Sequence, residues 1–242
     1  ISWNVNSIRA RIDLVLELLK EEEPDFLCLQ ETKIIDDQFP KNFFLDQGYF
    51  SYFWGIPSYN GVAILSKNEL TNIVKCNICN KNDARLISAK LGKLEITSVY
   101  VPAGGETPNP EDNPKFEHKL LFLEELSNFL KGKKSIIICG DINIAPYEDD
   151  VWSHKSLRNV VSHTEIERNK LTNILDDCSL TDTTRYFLNP PENIFTWWSY
   201  RSPNFEINDR GRRLDHIWIS DFMKNQLRSS KILKHYRKKT RP

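Results

Sequence analysis

Short apolar runs that break off into polar residues, interleaved with amphipathic stretches, set the limits on what this chain can fold into. Ile1 to Val5, Phe26 to Gln30, Phe50 to Trp54, Gly61 to Ser66, Leu86 to Leu91, Leu94 to Val101, Ser135 to Cys139, Phe195 to Tyr200 and Arg213 to Ile219 are rich in β-branched, aromatic or Leu residues and read as strands. Two further stretches carry apolar residues at helical spacing. They are Arg11 to Lys20, with Ile12, Leu14, Val15, Leu18 and Leu19, and Pro114 to Leu130, with Leu120, Leu123 and Phe129. Strands alternating with helices predict layered α/β packing. The stretches "CNICNKNDARLI" and "KLGKLEI" look like antiparallel connections, so the sheets are expected to be mixed. At 242 residues and 40% hydrophobic, the chain can bury a sizeable core, and with no repeat or convincing linker it is expected to form one domain over 1–242.

Composition removes several classes. No apolar run approaches the roughly 18 residues needed to span a bilayer, and "ISWNV" is not a charged segment followed by an apolar one, so the chain reads as soluble and not as a membrane or exported protein. Five scattered cysteines, with Cys28 and Cys139 inside strand-like runs, argue against a disulfide framework and for reduced thiols of an intracellular, cytoplasmic protein. Cys76 and Cys79 form a C-x-x-C, but no second pair follows to complete a four-ligand zinc site. Net charge is zero but uneven: residues 1–150 hold 16 Lys and Arg against 23 Asp and Glu, and residues 151–242 hold 17 against 10. The basic excess includes "RGRRL" (Arg210 to Leu214) and "KHYRKKTRP" (Lys234 to Pro242), clustering that suits a polyanion and equally a solvated surface.

The ends of the runs carry the chemistry. "SIIICGDINIAP" (Ser135 to Pro146) leads from an apolar run to Asp141 and Asn143, two apart and so on one face if the strand continues. Gly140, Asp141 and Asn143 also suit a plain turn, and this stretch alone does not decide between the two. "FLCLQETK" ends in Gln30 and Glu31, "ISWNVNS" places Asn4 and Asn6 two apart, and "RRLDHIWIS" sets Asp215 in an otherwise apolar strand. Four strand margins with carboxylates or amides are what an oxygen-seeking cation such as Mg²⁺ requires.

Taken in order, "SWNVNSIRAR", "LQETK", "YNGVAILSK", "VYVP", "GDINIAP", "FTWWSYRS" and "RGRRLDHIW" resemble the exonuclease III-like abasic-site endonucleases of the endonuclease/exonuclease/phosphatase superfamily, over essentially the whole chain. The resemblance implies a four-layer α/β sandwich, two mixed β-sheets face to face with helices outside. It implies Mg²⁺-dependent hydrolysis of a DNA phosphodiester 5′ to abasic sites, with Mn²⁺ as a substitute, and with 3′–5′ exonuclease and 3′-phosphatase side activities. The partner it implies is double-stranded DNA with abasic sites or 3′ ends, with the protein expected to act as a monomer. Glu31 resembles the metal-binding glutamate, with Asn4 and Asn6 nearby and Asp141 and Asn143 completing the metal set. Asp141 resembles the residue that orients or deprotonates the attacking water, Asn143 the amide on the phosphate, and Tyr100 the active-site tyrosine. Asp215 matches the aspartate that orients a catalytic histidine. Trp197, Arg212 and Leu214 match the abasic-sugar pocket, and Arg9, Lys33 and Tyr59 match contacts to the DNA backbone.

The pattern departs in three places. Arg212 stands where the pocket is expected to be apolar, and Ala103 stands where relatives often carry an amide. Relatives continue beyond "RP" with Ser-Asp-His and a final strand, so the sequence is expected to be part of a longer product. His118, His154, His163, His216 and His235 all read as core or surface histidines. Two alternatives follow: a DNA-binding member impaired in catalysis, and a phosphatase of the superfamily acting on another phosphodiester.

Overall fold

A computed structural model of the chain describes residues 1–199 and 205–238. Tyr200, at the end of one expected strand, and residues 239–242 of the basic cluster lie outside the described residues. The chain divides into two compact units, Ile1–Tyr100 with Ser135–Asp141 and Leu233–Pro242, and Val101–Lys134 with Ile142–Ile232.

The first unit contains β1 (Ser2–Asn4), α1 (Ile8–Glu22), β2 (Phe26–Gln30), α2 (Lys41–Leu45), β3 (Phe50–Trp54), β4 (Val62–Ser66), β5 (Thr71–Lys75), β6 (Leu86–Leu91), β7 (Leu94–Tyr100) and β8 (Ile136–Asp141). Its two sheets are both mixed. One runs β1-β2-β4-β3, with β1 and β2 parallel and the other pairs antiparallel. In the other, β5, β6 and β7 are antiparallel neighbours and β8 lies parallel to β7. The expected antiparallel connections are therefore present.

Strand alternation decides what each face buries. Leu27, Leu29, Ala63 and Leu65 point to one side of the first sheet, where α1 lays down Ile8, Val15, Leu18 and Leu19 with Phe39, Phe44 and Tyr49. Each such side chain withdrawn from water is worth roughly 1.5–3 kcal/mol. Cys28 and Gln30 point the other way, into the space between the sheets, where the Gln30 amide donates to Ser98 Oγ at 3.1 Å and Ser98 Oγ donates to the Leu29 carbonyl at 3.0 Å. Ser98 and Tyr100 alternate onto this inner face from β7, as do Cys139 and Asp141 from β8. The Trp3 ring packs tilted against Tyr236 at 5.8 Å between centroids, and the Tyr236 hydroxyl donates to Glu21 at 2.5 Å.

The second unit contains α3 (Pro114–Leu130), α4 (His154–Leu157), α5 (Glu165–Asp177), β9 (Leu180–Asp182), α6 (Thr183–Phe187), β10 (Trp197–Trp198), α7 (Phe205–Asn208), β11 (Gly211–Arg212) and β12 (Asp215–Ser220). α3 begins on Asn113, whose side chain accepts from the Lys115 amide at 3.1 Å, with Pro114 in the first turn. α5 begins on a reciprocal cap between Thr164 and Glu167. β12 pairs antiparallel with β9, and β10 with β11. Among the described residues no helix is long and apolar enough to cross a membrane.

Two expectations need correction. The run from Phe195 gives only the two-residue β10, and Asp215 opens β12 instead of lying inside a strand that starts at Arg213. Alternation does not carry from Asp141 to Asn143, because β8 ends at Asp141 and Asn143 sits in the left-handed region at φ 56°.

Candidate active site

Two parallel strand pairs deliver the candidate residues of the first unit. In the β7/β8 register Tyr100 lies opposite Asp141, and in the β1/β2 register Asn4 lies opposite Gln30, one residue before Glu31. All four are at the carboxyl ends of parallel strands, where α/β folds commonly gather function. Gly140 permits the β7/β8 approach. A Cβ there would lie 2.2 Å from the Val99 carbonyl oxygen, so a side chain would push the strands apart just before Asp141.

At this margin the Asn4 amide nitrogen donates to Glu31 Oε1 at 2.7 Å and to Asp141 Oδ2 at 2.8 Å. Asn4 Oδ1 accepts the Asn6 backbone N–H at 3.0 Å, which turns the chain out of β1. Lys33 pairs with Glu31 Oε2 at 2.8 Å and also donates to Asn6 Oδ1. Arg11 donates to the Asn6 carbonyl at 2.5 Å. Asn6, Ser7, Glu31 and Lys33 all have positive φ, at 41°, 98°, 53° and 53°. Such backbone costs on the order of 1–3 kcal/mol per residue and persists only where neighbours over-determine it. Here Ser7 N–H donates to the Glu31 carbonyl at 2.7 Å, Ile8 N–H to Thr32 at 3.1 Å and Lys33 N–H to Asn60 at 2.9 Å, zipping three loops together.

Burial pushes the Glu31 carboxyl up, but the Asn4 amide and the Lys33 ammonium more than offset it and hold Glu31 below the usual carboxylate range, with help from the Tyr100 hydroxyl. Tyr100 moves strongly the other way. Burial and the Glu31 and Asp141 carboxylates raise it, against the opposing Arg85 guanidinium, so it stays a neutral phenol able to donate. Arg85 lies 4.8 Å from the Tyr100 ring centroid and donates to the Tyr100 carbonyl at 3.3 Å.

Two carboxylates and two amides form an oxygen-rich donor set. Among the described residues no group of three or more His, Cys, Asp or Glu stands ready to hold a metal ion. The set fits Mg²⁺, which commonly takes one or two carboxylates and keeps several waters, better than a cation needing a full protein cage.

Arg9 is exposed, and so is Tyr59, at 72%. Lys33 is committed to Glu31 and Asn6. In the second unit the Asn143 amide donates to the Val101 carbonyl at 3.0 Å. Burial raises the Asp215 carboxyl to about 6, against the Thr196 hydroxyl, which also accepts the Leu214 and Asp215 backbone N–H groups at 3.0 Å. Trp197 and Arg212 are register partners, the guanidinium lying 5.8 Å from the Trp197 ring centroid and donating to Ser162 Oγ at 2.7 Å. Leu214 is buried. Trp198 takes the core position beside it, edge-on to Phe195 and tilted against Phe205, with its indole N–H donated to Asp209 at 2.9 Å.

Sequence reasoning missed Arg85 and Lys119. Arg85 follows a turn in "KNDARLI" and carries no distinctive signal. Lys119 was visible as a cation within the apolar stripe of Phe116, Leu120 and Leu123.

The sequence signature described as the Endonuclease/Exonuclease/phosphatase family matches residues 1–232. An exodeoxyribonuclease of Bacillus subtilis (strain 168) is 31% identical over 96% of this chain and 92% of its own. An AP endonuclease structure from Archaeoglobus fulgidus superposes with a TM-score of 0.86 at 34% identity, covering 93% of this chain and 87% of that one. A 3′ phosphatase from Neisseria, solved with a product DNA hairpin, superposes with a TM-score of 0.85 at 30% identity, covering 93% and 87%.

Proposed function

The chain belongs to the Endonuclease/Exonuclease/phosphatase family, and from that premise we propose that it is a DNA-repair phosphodiester hydrolase of the exonuclease III type, cutting 5′ to abasic sites with Mg²⁺ and processing 3′ ends. Family members typically work with a divalent cation. The observation that carries the reading is the sharing of one Asn4 amide by Glu31 and Asp141.

Glu31, Asp141, Asn4 and Asn6 would hold the ion, which when bound neutralises negative charge gathering on the phosphoryl oxygens. Asp141 takes the proton of the attacking water, a role typically worth about 10²–10⁴ in rate. Tyr100, kept neutral, donates to a phosphoryl oxygen as charge develops there, and Asn143 supplies an amide donor to the phosphate. Removing one such donor typically costs about 10²–10³. Glu31 stays ionised down to lower pH than an ordinary glutamate, so it is a carboxylate throughout the working range. Asp215 is assigned a positioning role, Trp197, Arg212 and Leu214 the abasic sugar, and Arg9, Lys33 and Tyr59 the DNA backbone, with the protein acting as a monomer.

The test is a duplex carrying a single synthetic abasic site, incubated with Mg²⁺ and then with chelator. Incision on the 5′ side only when Mg²⁺ is present is expected, with binding that weakens steeply as salt rises. Binding without incision in Mg²⁺, or indifference to the abasic site, contradicts the reading.

A further inference from the structure

Lys119 is a charged residue with 0% exposure, held on α3 among apolar neighbours. Its ammonium donates to Glu167 Oε1 at 2.5 Å, to the Asn143 carbonyl at 2.8 Å and to the Ala103 carbonyl at 3.3 Å. Glu167 is itself organised, accepting the Ser162 N–H at 3.0 and 2.9 Å, the Thr164 N–H at 3.1 Å and the Thr164 hydroxyl at 2.6 Å. Stability is a poor reason for such a pair, because a buried ion pair is often no better than apolar residues of the same volume.

What an apolar residue could not do is hold the two carbonyls. Ala103 follows Tyr100 by three residues, and Asn143 follows Asp141 by two. Asn143 is already tied to the first of these loops through its side chain, which donates to the Val101 carbonyl. Its backbone is left-handed, at φ 56°, and the Lys119 ammonium sits on the carbonyl of that same residue. The loop also packs closely on the lysine stem: a Cβ at Gly104, where φ is +92°, would lie 2.9 Å from Lys119 Cδ and 3.0 Å from Val161 Cγ1.

We infer that Lys119 is a positioning residue, a buried clamp that fixes Asn143 against the Val101–Gly104 loop and so sets the direction of the Asn143 amide toward the phosphate. The inference rests on the role proposed above for Asn143. Lys119 touches no substrate; it acts through the backbone of the residue that does.

The test is a double-mutant cycle on kcat for the abasic duplex, using the wild-type chain, Lys119→Met, Asn143→Ala and the double variant. Lys119→Met is expected to lower kcat by about 10- to 100-fold, the usual effect of losing a supporting partner, with KM nearly unchanged. In the Asn143→Ala background the same substitution is expected to lower kcat by less than about threefold, since nothing is left to position. Leu126→Ala, which opens a cavity about two turns further along the same helix, is expected to lower the melting temperature and keep kcat per folded molecule. Equal losses from Lys119→Met in both backgrounds, or full kcat in folded Lys119→Met, would overturn the inference. Full kcat in Asn143→Ala would instead remove the Asn143 assignment on which it rests. Should Lys119→Met not fold, Lys119→Arg carries the same cycle, because a planar guanidinium keeps the charge but not the geometry.

Discussion

Asn4 and Asp141 lie 137 positions apart in the chain and meet through a 2.8 Å hydrogen bond from amide to carboxylate. The same nitrogen reaches Glu31, so a single side chain holds two carboxylates that would otherwise repel each other. Asn4→Ala is therefore expected to weaken Mg²⁺ activation and turnover by about 10- to 100-fold. It also removes one of the donors that keep Glu31 low, so the Glu31 pKa rises and the acid limb of the kcat–pH profile moves to higher pH. An unchanged acid limb in the variant would count against the shared-amide arrangement.

Asp141→Asn replaces the proposed base by an isosteric amide. The fold and binding to abasic DNA should persist in melting and gel-shift experiments, while cleavage falls by about 10²–10⁴. Near-normal turnover removes Asp141 from the role.

Gly140→Ala should be costly without touching any reacting group. Its Cβ would meet the Val99 carbonyl oxygen at 2.2 Å, against backbone that cannot step aside as a side chain can. Overpacking of this kind typically costs about 1–3 kcal/mol, and a melting temperature equal to the wild type's would show that the β7/β8 approach is looser than described.

Asp215 gives a pH signature. Burial raises its carboxyl from 3.8 to about 6, so the folded chain holds that proton more tightly than the unfolded one. Its contribution favours folding below about pH 4 and is lost as pH rises through about 6. Asp215→Asn should then leave stability near pH 4 little changed and raise it by on the order of 3 kcal/mol at pH 7.5, while lowering turnover. Denaturant melts at the two pH values check the sign.

Much of this site could be read from the chain because strand ends announce themselves: Tyr100 after "LEITSV" and Asp141 after "IIICG" close their strands, and Glu31 follows directly on "FLCLQ". The meeting of Asn4, Glu31 and Asp141 depends on two parallel pairings that no local pattern encodes. Asn143 escaped strand logic because its φ is positive, a conformation asparagine tolerates and alternation does not foresee. β9 is too short for periodicity, β5 is exposed along its length, and α5 carries its only clear sequence signal in the Thr164 and Glu167 spacing that caps it.

Metal binding to the intact protein, followed by the electron-spin signal of Mn²⁺, addresses the strand-margin cluster most directly, without relying on turnover. The wild-type chain should take up Mn²⁺ competitively with Mg²⁺, and Glu31→Gln, which keeps the side-chain shape but removes one of the two charges shared by Asn4, should weaken uptake by at least about tenfold. Equal Mn²⁺ affinity in the two proteins would contradict the account.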